Sequence, residues 1–254
     1  MGVIYETKGR AREFSELAVN LYTGCGHQCL YCYGADVLRV RKDNFDHYPM
    51  PKPNILQRLE NEVVKLSKQG EKRSILMCFV TDPLQPIETK HEITRRALDI
   101  LHQHGLNATI LTKAGRLALQ YMSYGFITKD DAFATTLTCD NSFDSARWEP
   151  GAASPADRID NLAHACAHKI RTWVSLEPVI YPFQTLNLIN ATRDMVGHYK
   201  VGTMNYHEHG KTINWKEFAM TVTGFMDGMK VNYYIKKDLA AYLGKTEGYW
   251  KHNR

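Results

Sequence analysis

Apolar positions recur along the chain with two periods, and the two alternate. Leu17 to Thr23 is a β-prone stretch. From Asn54 to Lys68 the apolar residues Ile55, Leu59, Val63 and Leu66 share one helical face, with Asn54 placed as an N-cap. Ser74 to Val80 (SILMCFV) is short and almost wholly apolar, which predicts a buried strand ending at Thr81-Asp82-Pro83. A helix predicted from Thr89 to His104 turns Ile93, Ala97, Leu98 and Leu101 inward and stops at Gly105. The cycle repeats with a strand Ala108–Thr112 ending in Lys113, a helix Ala114–Tyr124 and a strand Ala132–Thr138. A long loop then carries Trp148-Glu149-Pro150-Gly151. Ser154 caps, and Pro155 opens, a helix whose face reads Ile159, Leu162, Ala163 and Cys166. The strand Thr172–Leu176 ends at Glu177-Pro178. A helix over 186–195, a strand over 199–203, a helix over 214–226 and a strand–helix pair over 230–243 follow.

Short buried strands separated by amphipathic helices predict βα units on a parallel sheet. Six or so units suit a complete or partial (β/α)6 barrel better than two domains, within an α/β single domain. In such barrels the chemistry gathers at the C-terminal ends of the strands. The polar residues there are Thr81, Asp82, Lys113, Thr138 and Glu177, beside a cysteine loop. Composition is ordinary for a globular chain, 44% hydrophobic and 23% charged over 254 residues. Thirty-two Lys+Arg against 27 Asp+Glu leave a charge of +5, which tolerates an anionic partner without demanding one. The sequence has no long apolar run to span a bilayer and no apolar signal core at its start, so a cytoplasmic protein is expected.

Three of the six cysteines fall within eight residues, in Cys25-Gly-His-Gln-Cys29-Leu-Tyr-Cys32. A cluster this tight reads as a metal site. Three thiolates on one loop can ligate three irons of a [4Fe–4S] cube and leave the fourth iron open. Zinc is the rival: His27 would complete a Cys₃His site in a zinc-dependent nucleic-acid-binding protein.

The CxxxCxxC spacing, with an aromatic before its last cysteine and after a first barrel strand, resembles the radical S-adenosylmethionine (SAM) superfamily. The stretch from Asn20 to Tyr33, Thr81-Asp82-Pro83-Leu-Gln85-Pro86-Ile87-Glu88, Ile110-Leu-Thr-Lys113, and Glu149-Pro150 followed by Ser154-Pro155 and Arg158 resemble its spore photoproduct lyase-like branch. The likeness covers residues 17–182, flanked by an N-terminal segment 1–16 and C-terminal βα elements over 183–254. It implies a [4Fe–4S] cluster on Cys25, Cys29 and Cys32, which cleaves SAM reductively to a 5′-deoxyadenosyl radical that takes hydrogen from a substrate. By position, Tyr31 would lie beside the adenine, Thr81 and Asp82 near the methionyl amino group, and Lys113 against the SAM carboxylate. Thr136 or Thr138 would meet the ribose, and Glu177 would face the barrel mouth or merely precede a turn. Glu149 and Arg158 would pair to fix the long loop. Tyr33 and Cys78 would stand where the branch relays hydrogen, although Cys78 is one residue further from Asp82 than the branch implies and, inside a buried strand, reads first as a small core residue. The implied partners are a flavodoxin- or ferredoxin-like electron donor and a nucleic acid or nucleotide, with a peptide, protein or metabolite as the alternative substrate.

Overall fold

The central strands are buried on both faces, as parallel strands covered by helices must be. The computed structural model describes residues 2–253. It holds one nine-stranded sheet whose spatial order follows the sequence. The strands are β1 (Ile4–Glu6), β2 (Leu17–Val19), β3 (Ile75–Met77), β4 (Ala108–Thr112), β5 (Ala132–Thr136), β6 (Arg171–Leu176), β7 (His198–Val201), β8 (Tyr233–Ile235) and β9 (Tyr249–Lys251). From β2 to β8 all pairs are parallel, in a register that aligns Val19, Met77, Ile110 and Phe133. The edge strands β1 and β9 run antiparallel to their neighbours. Helices Ile55–Lys68, Ile93–Gln103, Arg116–Ser123, Pro155–Ala167, Pro182–Thr192 and Trp215–Gly228 fill the six crossovers between parallel strands. This is the α/β single-domain architecture expected from the alternating periods, left open between β1 and β9 in the hydrogen-bonded order.

Residues 9–16 join the two ends of the sheet. Phe14 packs against Phe79, just past β3, with ring centroids 5.6 Å apart, and against Trp173 on β6 at 6.3 Å. Lys200 on β7 donates to the carbonyl oxygens of Glu13 and Phe14 at 2.7 and 2.9 Å. The Glu13 carboxylate accepts from the Tyr234 hydroxyl and the Lys237 amide. A segment without periodicity thus becomes part of the interior.

Several sequence expectations shift. The helix expected over 89–104 is two, Glu88–His91 and Ile93–Gln103, broken where Glu92 turns left-handed at φ 49°. Its carboxylate neighbour Glu88, wholly buried, accepts the Thr94 and Arg95 amides at the second helix's start. Asn54 sits at the N-cap but in a left-handed conformation, with no side-chain cap bond. On helix Pro155–Ala167 the buried face is Arg158, Asn161, Leu162 and Ala165, and Cys166 is exposed. The face is rotated because a buried carboxylate, Glu149, draws Arg158 inward. The loop after β5 holds a further helix, Ser142–Trp148, capped by the Asn141 side chain. Among the described residues no helix is long and apolar enough to cross a membrane.

Candidate cofactor and radical site

The cysteine loop leaves β2 and is fixed from three sides. Cys25 N–H donates to Phe45 O at 2.8 Å, and Gln85, fully buried, accepts from Gly26 N–H and donates to Gly24 O. The third side is the segment after Trp148: Leu30 N–H donates to Trp148 O, and Gly151 N–H to His27 O, both at 2.9 Å. A Cβ at Gly151 would collide with the carbonyl of Gly26, so only glycine allows this approach. Cys25, Cys29 and Cys32 line one cavity of about 170 Å³ at the C-terminal ends of the strands.

The donor set fits an iron–sulfur cluster. Burial pushes the Cys25 thiol well up and the Cys29 thiol up to about 12. Such thiols ionise only against added positive charge, as a metal supplies. Among the described residues no three His, Cys, Asp or Glu side chains converge on one point to hold a single ion. His27 points Nδ1 at Gly151 O, 2.9 Å away, and Nε2 at Asp82 Oδ2, 3.2 Å away. Both ring nitrogens face protein oxygens, which counts against a Cys₃His zinc site.

Strand ends form the next wall. Asp82, after β3, accepts from Leu84 N–H and the Thr112 hydroxyl on Oδ1, and from Lys113 N–H on Oδ2. Burial alone would raise its carboxyl; His27 and these donors more than reverse that and hold it below the usual carboxylate range. With both oxygens engaged, Asp82 ties the cysteine loop to β4. Thr81 beside it is buried, lines the cavity, and its hydroxyl makes no hydrogen bond of normal geometry. Lys113 makes no ion pair among the described residues, and its ammonium lies 5.8 Å from the Tyr31 ring centroid. Burial works against its charge, but the Cys29 and Glu149 fields outweigh this and raise its pKa. The Tyr31 hydroxyl donates to Glu149. Glu149 in turn pairs at 2.6 Å with Arg158, which also donates to Thr136 O and Ala153 O. The expected loop-fixing pair is therefore present, and it carries Tyr31 as well.

On the far wall, Glu177 pairs with Lys236, and Tyr33 tilts against Tyr206 with ring centroids 4.9 Å apart. All four line the cavity, as do Arg10 and Phe14. Cys78 corrects the expectation of a strand interior: β3 stops at Met77, and Cys78 turns left-handed at φ 64° against the cavity. Burial pushes its thiol up to about 12. Thr136 lines the cavity; Thr138, past the strand end, does not, and its hydroxyl lies 3.9 Å from Cys139 Sγ.

Solved structures share this arrangement of strands. A spore photoproduct lyase complexed with dinucleoside spore photoproduct superposes with a TM-score of 0.61, at 16% identity over 82% of this chain and 62% of that one. Streptococcus suis SuiB bound to its precursor peptide SuiA superposes at 0.64, with 14% identity over 89% of this chain and 50% of that one. The chain shares the fold of these radical SAM enzymes. It spans less than two-thirds of the length of either. A spore photoproduct lyase variant with bound AdoMet matches equally well, at a TM-score of 0.61 and 16% identity over 81% of this chain and 62% of that one. No family model matches the chain, and no curated protein does.

The cavity brings together every site residue expected from the sequence except Thr138. Sequence reasoning missed Arg10, Phe14, Tyr206 and Lys236 as cavity wall, and Gln85 and His27 as braces of the cysteine loop. Gln85 and His27 stood inside quoted motifs, so their signal was available. Arg10 and Phe14 had none, because their contacts are made more than 60 residues away.

Proposed function

We propose that this chain is a radical SAM enzyme of the cytoplasm whose [4Fe–4S] cluster is held by Cys25, Cys29 and Cys32. The observation that carries the reading is that these thiols line one cavity with Thr81, Lys113 and Thr136, the polar residues at three successive strand ends. When bound, the cluster and SAM supply the electron and the 5′-deoxyadenosyl radical that takes a hydrogen atom from substrate.

The chain's own residues orient and shield. Lys113, a cation that makes no ion pair among the described residues, suits the SAM carboxylate. Thr81 offers a buried hydroxyl to the methionyl amino group, and Asp82 positions rather than binds. Tyr31, braced by Glu149, presents its ring to the adenine, and Thr136 is set for the ribose. Glu177 faces the mouth. Tyr33 and Cys78 serve as hydrogen relays; burial keeps the Cys78 thiol protonated, the form that can give up a hydrogen atom. The substrate is a nucleic acid or nucleotide and the reductant a flavodoxin- or ferredoxin-like protein. The likeness to SuiB bound to a precursor peptide supports a second reading, in which the substrate is a peptide.

Protein purified without oxygen should contain about four irons and four sulfides per chain. Reduced and given SAM, it should release 5′-deoxyadenosine, and Cys29→Ala should abolish both the iron–sulfur absorbance and that release. A colourless protein with one zinc per chain, or a Cys29→Ala variant as productive as its parent, would overturn the reading.

A further inference from the structure

A groove of about 1110 Å³ runs outward from the cavity mouth and shares residues 203–206 with it as a common wall. Its floor and sides come from the segment after β7, the start of helix Trp215–Gly228, and the turns after β8. We propose that this groove seats a single-stranded polynucleotide segment flanking the nucleotide whose base enters the cavity. The inference rests on the nucleic-acid reading above and adds the surface that reads the strand.

The groove's acids are already neutralised. Asp238 pairs with Arg10 at 2.8 Å and accepts from Asn205 at 2.9 Å, while Glu208 holds Lys211 at 2.8 Å. Lys216 and Lys245, both exposed, make no ion pair among the described residues, and they come from two separate elements. The uncompensated charge is therefore positive. One tyrosine ring, Tyr242, stands exposed in the same groove, while Tyr206 at its inner end already meets Tyr33 and Arg10. Cations that follow a phosphate backbone, interleaved with aromatic faces on which bases stack, are what a single strand requires. An acidic peptide would use the lysines and leave the Tyr242 face without a stacking base. The enclosed cavity also demands that a reacting base leave its stack, which a single strand permits at least cost.

The test is fluorescence anisotropy of a labelled single-stranded oligonucleotide, titrated against the holoenzyme at several salt concentrations. The slope of log affinity against log salt should flatten by about 0.7 for each of Lys216→Gln and Lys245→Gln, and the two should add. Tyr242→Ala should weaken binding about tenfold at every salt concentration. If the parent binds the strand but the lysine variants keep its slope and affinity, the groove assignment fails while the nucleic-acid reading stands. If the parent ignores oligonucleotides and binds poly-glutamate, the nucleic-acid reading itself fails.

Discussion

The two walls of the cavity keep buried charge in different ways. On the wall built by the ends of β3 to β5, the buried carboxylates are met by opposite charge, hydroxyls or backbone donors. Asp82 takes two amides, a hydroxyl and His27, and Glu149 takes Arg158 and Tyr31. On the side built by β6 to β8, Lys236 pairs with Glu177, and two lysines also lie on aromatic faces. Lys200 is 4.8 Å from the Trp173 ring centroid, and Lys236 is 3.7 Å from that of Phe14. The consequence shows in two lysines. Lys113 has its pKa raised, while burial and the nearby Lys236 push Lys200 down to about 7. One wall holds Lys113 as a charged group in the cavity; behind the other, outside the cavity lining, Lys200 lies near neutrality and fastens residues 13–14.

The largest expected effect breaks the first wall. Arg158→Met leaves Glu149 buried without its partner and should cost about 3–5 kcal/mol of stability, read as a fall in the urea midpoint. The double variant with Glu149→Gln should recover most of that loss, because the uncompensated charge is gone. A loss below about 1 kcal/mol would mean that the network is not what braces this wall. The second wall should respond in the opposite sense. The Lys200 pKa is lowered on folding, so the unfolded chain binds more protons between about pH 7 and the ordinary lysine value. Stability should therefore rise with pH across that window, by at most about 1.4 kcal/mol per unit. Lys200→Met should flatten the rise; a variant that keeps the parent's pH profile would place the titration elsewhere.

What the sequence disclosed follows the same division. The bounds of β4 and the Ser154–Pro155 helix start agree with the structure because local signals set them: a β-branched run, and a hydroxyl that accepts the Asp157 amide. The cysteine loop was legible because its spacing is itself the signal, and the strand-end residues because they recur at equivalent places. Cys78 was not: an apolar run reads as strand to its end, and only tertiary packing puts a non-glycine residue at φ 64°. The second wall was hidden because its chemistry joins the N-terminus to the last strands. Arg10 meets Tyr206 and Asp238, and Glu13 meets Tyr234, pairs that no periodicity links. Three-residue strands such as β1 and β9 carry too few positions for alternation to show.

The opposite end of the sheet supplies a control. Asp131, just before β5, accepts from the Ala108 and Thr128 amides and from His102, as Asp82 accepts from the Leu84 and Lys113 amides and meets His27. The wiring is the same, but neither Asp131 nor His102 lines the cavity that the cysteines share. The hydrogen bond to Asp131 raises the His102 pKa, outweighing burial. That contribution is fully present below the ordinary histidine value and is lost as pH rises through the raised one. Asp131 is held low and stays ionised across this range. His102→Gln should therefore cost about 1 kcal/mol at pH 6 and less at pH 8.5, read as the difference in melting temperature between parent and variant at each pH. Release of 5′-deoxyadenosine should be unchanged. A variant that melts like its parent at pH 6 but loses turnover would show that this carboxylate–histidine pair serves the site, and that the two ends of the sheet are not independent.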